Sequence, residues 1–164
     1  MIKWIKKLLS ICFTWSVKRT CGRYKGKLKV NKFSRVTSKT FLGNNIHFNG
    51  MKIYGCGEVH IGDNFHSGME CQMITQIHNY EGKAIPYDST YICKDILIEE
   101  NVWLGNRVLV LGGVVIGEGA IIQAVSVVVK DIPKYAIAGG HPAEVFSYRD
   151  IQHYIQLKNE GKFH

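Results

Sequence analysis

The feature that most restricts this chain is a period of six. From Ile96 the residues divide into ILIEEN, VWLGNR, VLVLGG, VVIGEG, AIIQAV and SVVVKD. The third place is always a bulky aliphatic: Ile98, Leu104, Val110, Ile116, Ile122 and Val128. The first place holds Ile96, Val102, Val108, Val114, Ala120 and Ser126, and glycine takes the fourth place at Gly105 and Gly117. A helix repeats every 3.6 residues and a strand every two, so neither alone accounts for six. A short strand followed by a sharp turn does. First- and third-place side chains then point inward, and a fourth-place glycine sits near the turn, where positive φ or close backbone approach costs least. Three units close a triangular coil, and each coil buries its aliphatics only by stacking on the next. A weaker run in the same phase (TFLGNN, IHFNGMK, IYGCGE, VHIGDN, FHSGME, CQMITQ) spans Thr40 to Gln76, with one extra residue and with Gly55 and Ser67 in third places. Together the units predict about four stacked coils of a parallel β-solenoid, and the strict register of the second run argues against coincidence or a β-sandwich of short strands.

The period breaks once. Residues 77–95, IHNYEGKAIPYDSTYICKD, fit no hexad. A polar insertion in a continuous solenoid must leave the coil as a loop, and loops on rigid scaffolds are where functional groups gather. His78 stands near its start, followed by Asn79 and Tyr80.

At 164 residues the chain suits one domain. Its 17 glycines against 3 prolines fit many tight corners without disordered linkers. A net charge of +8 suits an anionic partner, but no arginine-rich run or aromatic-interleaved basic strand points to nucleic acid. The five cysteines lack metal-type spacing, and their odd count argues against a disulfide framework, so small buried side chains in a reducing cytosol are expected. The opening residues 1–23 are apolar and basic, with Trp4, Leu8, Ile11 and Trp15 at helical spacing. They are too short and too lysine-rich to span a bilayer, and they lack a signal-peptide cleavage site. Two readings stay open: a helix packed on the domain or a neighbouring subunit, and an in-plane helix on a membrane surface. The expected organisation is an N-terminal amphipathic helix and lead-in over 1–39, the solenoid over 40–142, and a short C-terminal helix and tail over 143–164 covering the last coil.

The hexads, the stretch VWLGNRVLVLGGVVIGEGA and the ending SVVVKDIPKYAIAGGHPAEV resemble the left-handed parallel β-helix (hexapeptide-repeat) acyltransferases, over roughly residues 40–147. The chain looks most like bacterial O-acetyltransferases of surface polysaccharide and lipopolysaccharide, with maltose and galactoside acetyltransferases a little further off. The resemblance implies the left-handed sense, a homotrimer with sites between subunits, acetyl-CoA as co-substrate and a sugar hydroxyl as acceptor. It implies a cytoplasmic protein, peripheral to the inner membrane face if residues 1–23 bind lipid. An alcohol is a poor nucleophile, so a base must take its proton as attack begins, and histidine suits that work. His78 matches the family's catalytic base. Asn79 and Tyr80 match acceptor-contacting positions but also read as ordinary turn residues. Trp103 matches an aromatic that walls the acceptor pocket or covers the loop base. Asn106, Ala124, Val129 and Lys130 match positions along the acetyl-CoA arm, although Lys130 also reads as a solvated turn lysine.

The chain departs from its relatives in places. It reads GHPAE where they end GNPAK, so Glu144 replaces a cation, and Ser147 replaces an arginine for which Arg149 could compensate. QAVS replaces GAGS, which puts Val125 beside the thioester arm. The γ-class carbonic anhydrases share the fold and bind zinc through three histidines. Here His60 and His66 fall on different faces of the coil, and the next histidine after His78 is His141, so no metal site is expected. Two rival functions remain: N-acetylation of a nucleotide-linked amino sugar, and a non-catalytic solenoid that docks on membranes.

Overall fold

Inward-facing aliphatics at every first and third place force the chain to close on itself. In the computed structural model, which describes residues 2–164, it winds about six times into a left-handed β-helix. Its three faces are parallel sheets. The first face stacks Arg23–Tyr24, Thr40–Leu42, Val59–Ile61, Ile96–Ile98 and Val115–Ile116. The second stacks Leu28–Lys32, Ile46–Asn49, His66–Met69, Trp103–Leu104, Ile121–Ile122 and Ala136–Gly140. The third stacks Lys52–Tyr54, Gln72–Ile74, Leu109–Leu111 and Val127–Val128. Every first- and third-place residue from Ile96 to Val128 is buried, Ala120 and Ser126 included. Second-place residues face outward, which fits strands only two or three residues long.

Of the two roles expected near the turn, positive φ and close approach, the fourth-place glycines take the second. Positive φ belongs to the sixth place: Asn101, Arg107, Gly113, Gly119 and Val125. The fourth-place glycines answer instead to close approach. A Cβ on Gly105 would meet the Ala124 backbone nitrogen at 2.5 Å, and one on Gly117 the Lys134 nitrogen at 2.6 Å. Both contacts are to the backbone of the next coil, so bare Cα atoms let the coils stack. Val125 is the costly member, because a β-branched residue seldom adopts a left-handed backbone.

The earlier run is also re-phased. Met51 and Ile53 are the buried pair of the third face, so the unit before them is short and the spare residues fall at Gly57 and Glu58. Gly55 is therefore not a missing core residue; it turns the corner at φ 108. Ser67 does face inward, and is 2% exposed. The coils also start before residue 40. Residues 23–35 form one whose strands pair with those of the next, and Val30 and Val36 enter the core.

The N-terminal end carries a helix packed on the domain, one of the two readings left open by the sequence, and the C-terminal end differs from expectation. Helix α1, Ile2–Thr20, covers the N-terminal end. Phe13 and Val17 pack on the core, while the Ser10 hydroxyl donates to the Val30 carbonyl (2.8 Å) and the Thr14 hydroxyl accepts from the Val30 N–H (3.0 Å). These bonds satisfy the free edge of the first strand on the second face. Residues 143–148 are not helical: Ala143–Tyr148 folds back antiparallel on Ala136–Gly140. Helix α2, Ile151–Asn159, capped by Asp150, does not cover the last coil but lies along the corner between the first and second faces.

That corner carries a column of asparagines. Asn45 donates to Asn64 (3.0 Å), Asn64 to Asn101 (2.9 Å), and Asn101 to the Tyr154 hydroxyl of α2 (2.8 Å). All three have positive φ, which Asn tolerates better than most residues. Tyr154 then donates to Glu118 at 3.0 Å, and Lys158 bridges Glu100 and Glu118. Burial pushes the Glu118 carboxyl up, but the hydrogen bonds from Lys158 and Tyr154 and the charges of Lys158 and Lys134 outweigh it and hold it below the ordinary value. Beyond α2 the tail brings His164 onto His47 and His66, whose rings stack at 4.1 Å. Burial first, then the neighbouring His47 and His164, pushes the His66 ring down to about 4.

Two outcomes follow from this packing. Gly105→Ala should lower unfolding stability by about 1–3 kcal/mol, the usual cost of overpacking against backbone, as read by denaturant titration. His66 is neutral in the folded chain down to about pH 4, whereas an unfolded histidine protonates near 6.5. The unfolded state therefore binds more protons between those values, and stability falls as pH falls through that window. Thermal melts from pH 7 to 4 should show this loss, and His66→Gln should flatten it.

Candidate active site

The interruption at residues 77–95 becomes a two-stranded arm at the corner between the third and first faces. Gln76–His78 runs out and Tyr91–Cys93 runs back antiparallel, with His78 opposite Tyr91. The turn is held from within. The Asn79 N–H donates to the Thr90 carbonyl (3.0 Å), its side-chain nitrogen donates to the Thr90 hydroxyl (3.1 Å), and its side-chain oxygen accepts from the Glu81 N–H (3.1 Å). Asp88 accepts from the N–H groups of Lys83 and Thr90. Asn79 is thus occupied in shaping the arm, while Tyr80 stands exposed on it.

His78 is exposed beside two aromatic rings that the sequence reading did not single out. Tyr87 stacks on it with ring centres 3.9 Å apart, and Tyr91 lies tilted at 4.6 Å. Tyr91 follows from the strand pairing. Tyr87 depends on the turn conformation, for which no period gives a signal. Both rings pack on the imidazole and still leave the residue open to solvent.

The arm is fastened at its base, and the reading of five unpaired cysteines is corrected there. Cys93, on the returning strand, is bonded to Cys56, with Cα atoms 5.5 Å apart. Cys56 follows the third-face strand Lys52–Tyr54, one coil below the arm, and the arm leaves and rejoins the solenoid at that same corner. Of the others, Cys71 is buried, Cys21 is half-buried and Cys12 is exposed.

Beside the arm base lies a cleft of about 220 Å³, lined by Ile74, Ile77, Ile92, Leu111 and Val129 among others. It opens onto the third face, whose outward residues in the upper coils are apolar: Leu109 and Val127 in one row, Leu111 and Val129 in the next. The residues matched to a cofactor arm flank this face. Asn106 and Ala124 stack at its corner with the second face, where the Asn106 side chain accepts from the Met69 N–H (2.7 Å) and the Asn106 carbonyl accepts from the Val125 N–H (2.8 Å). Val129 and Lys130 lie at the opposite corner, beside the arm, and Lys130 is exposed.

Trp103 lies elsewhere. It is on the second face, aligned between His66 and Ile121, and lines a separate pocket of about 410 Å³ with Arg149, Tyr154 and His164. Within one chain the structure does not bring it to His78 or to the arm base. His60 stacks on Phe41 of the first face (4.7 Å), apart from His66. The sequence reading missed the pairing of His66 with His47, one coil below on the same face; their spacing of 19 residues, close to a full coil, carried the signal. Arg149 is half-buried against the asparagine column, donating to the Gly119 carbonyl beneath the Tyr154 ring. It anchors the start of α2 to the corner. Among the described residues no group of three or more His, Cys, Asp and Glu side chains is arranged to hold a metal ion.

The bacterial transferase hexapeptide (six repeats) family matches residues 95–130. The galactoside O-acetyltransferase of Lactococcus lactis is 36% identical over 113 residues, covering 64% of this chain and 54% of that one. The chain spans about half the length of the curated relatives it matches. Among solved structures, a hexapeptide-repeat acetyltransferase of Vibrio cholerae, complexed with acetyl coenzyme A, superposes with a TM-score of 0.63 and 26% identity, covering 88% of this chain and 80% of that one. The N-acyltransferase AntD of Bacillus cereus, in complex with dTDP and 3-hydroxybutyryl-CoA, superposes with a TM-score of 0.70 at 18% identity, covering 85% of this chain and 77% of that one. Repeat, coil geometry and relatives agree that this is a hexapeptide-repeat protein with the left-handed β-helix fold of acetyltransferases.

Proposed function

We propose that this hexapeptide-repeat chain is an acetyl-CoA-dependent O-acetyltransferase acting on a hydroxyl of a sugar or surface-polysaccharide precursor. The observation that carries the reading is the arm: it is the largest departure from the repeat, and it presents His78 against two tyrosines beside an apolar face. Acetyl-CoA supplies an acetyl group activated as a thioester. The chain's residues suit its long, thin pantetheine arm. Leu109, Leu111, Val127 and Val129 offer an apolar strip. Ala124 is small enough for close approach, and Lys130 is free in solvent to meet a phosphate.

In this reading the open side of the His78 imidazole takes the hydroxyl proton as the oxygen forms its bond to the acetyl carbonyl. The carbon–sulfur bond breaks, and the proton passes to the departing thiolate, so the products are an acetyl ester and a free thiol. Tyr87 and Tyr91 hold the ring in plane. Backbone N–H groups at the coil corners are the available donors for the developing oxyanion. Ile77, Tyr80, Ile85 and Tyr87 are exposed along the arm. Apolar surface of this kind supports a homotrimer in which the arm lies against a neighbouring subunit, where that subunit's second face could supply Trp103 to the acceptor. The Lactococcus relative at 36% identity supports an oxygen acceptor over a nitrogen one; the likeness to the N-acyltransferase, at 18%, concerns the fold.

A free-thiol assay with acetyl-CoA and a panel of sugars and nucleotide sugars tests the reading. Thiol release should depend on an acceptor hydroxyl, and His78→Ala should lower turnover by roughly 10²–10⁴-fold, the usual worth of a general base. Near-normal turnover in that variant removes His78 from the mechanism, and release only with amino sugars moves the reading to N-acetylation.

A further inference from the structure

Helix α1 has two apolar sides, and the fold uses one. The side carrying Phe13 and Val17 closes the first coil, with Ser10 and Thr14 bonded to Val30. Trp4, Leu8, Ile11 and Trp15, spaced i, i+4, i+7, i+11, line the opposite side. They are 74%, 51%, 59% and 59% exposed. The bonded side grips the free edge of the first coil, and Ile11 and Trp15 border a shallow cleft with Leu28 and Lys29 of that coil.

The charge on this end has one sign. The first acidic residue in the chain is Glu58, and 13 of the 21 lysines and arginines precede it. The rest of the chain holds 8 basic against 13 acidic residues, so the net positive charge lies wholly on α1 and the first two coils. Lys25, Lys27, Lys29 and Lys32 are exposed on the first coil, next to the helix. Arg19 lies 4.8 Å over the Trp15 ring, and Lys18 4.8 Å over Tyr24, so cations flank the apolar stripe. Among the described residues no helix is long and apolar enough to cross a membrane.

We propose that this end of the molecule docks on the surface of an anionic phospholipid bilayer, with α1 in the interfacial plane, its Trp4–Leu8–Ile11–Trp15 stripe among the lipids and the first-coil lysines over the headgroups. Each feature matches that partner: tryptophan prefers the headgroup level, and each surface lysine or arginine adds attraction to anionic lipid. A second copy docked end to end would set two wholly basic surfaces against each other. Nucleic acid would use the cations and leave the apolar stripe unanswered. The surface stands apart from the arm and the third face, so the inference does not depend on acyl transfer.

Flotation of the full chain with vesicles tests it. Neutral phosphatidylcholine vesicles are compared with vesicles holding roughly 30% phosphatidylglycerol, at about 0.1 M and about 0.5 M salt. The chain should float with anionic vesicles at low salt, at least about tenfold more than with neutral ones, with a blue shift of tryptophan emission. Trp4→Gln with Trp15→Gln, and separately Lys25→Gln, Lys27→Gln and Lys29→Gln together, should each cut binding about tenfold at unchanged circular dichroism. Absence of flotation, equal flotation with both vesicle types, or insensitivity to either variant overturns the proposal. So does binding to duplex DNA that matches vesicle binding and ignores the tryptophan pair.

Discussion

A coil of three short strands has no core of its own. Each turn of this solenoid exposes its inward aliphatics above and below until another coil, or a cap, covers them. Stacking at the close spacing of parallel strands is the condition on which everything else rests, and it explains choices that look unrelated along the chain. Gly105 and Gly117 lack side chains because the next coil's backbone passes there. Asn45, Asn64 and Asn101 recur because their corner must turn left-handed and their amides can bond from coil to coil. The α1 helix spends Ser10 and Thr14 on a strand edge because the first coil has no neighbour below.

The same condition makes a departure from the period informative. The third-to-first corner admits an insertion without disturbing the core, and the arm enters and leaves there as a pair of hydrogen-bonded strands. Its chemistry-bearing side chain is held by stacking on Tyr87 and Tyr91, and its base by a covalent link to Cys56. A rigid scaffold with one fastened projection holds an exposed histidine beside a face whose upper rows are apolar and whose margins carry Asn106, Ala124, Val129 and Lys130. Trp103 lies on another face, between His66 and Ile121, away from that projection.

The sequence disclosed the inward residues, because period six is a direct record of burial: from Ile96 to Val128 every first and third place lies in the core. It disclosed the arm as a break in that record, and His78 with it. It was silent where structure does not depend on the period. Residues 23–35 form a coil with few aliphatics, since α1 covers it, and so read as a lead-in. Lost phase around Gly50 made Gly55 look like a core defect. The Cys56–Cys93 bond and the tyrosines about His78 depend on how the arm folds back, which no spacing reports. The path of α2 depends on Tyr154, Lys158 and Arg149 finding Glu118 and Gly119, partners 30 to 40 residues away.

A crystal structure of the chain grown with coenzyme A tests the assignment of the third face most directly. The thiol should lie beside His78, with the pantetheine arm along the Leu109–Val127 and Leu111–Val129 rows, between the corners that carry Ala124 and Lys130. Coenzyme A seated instead in the Trp103 pocket of the same chain, or with its thiol remote from every His78 in the assembly, would contradict it.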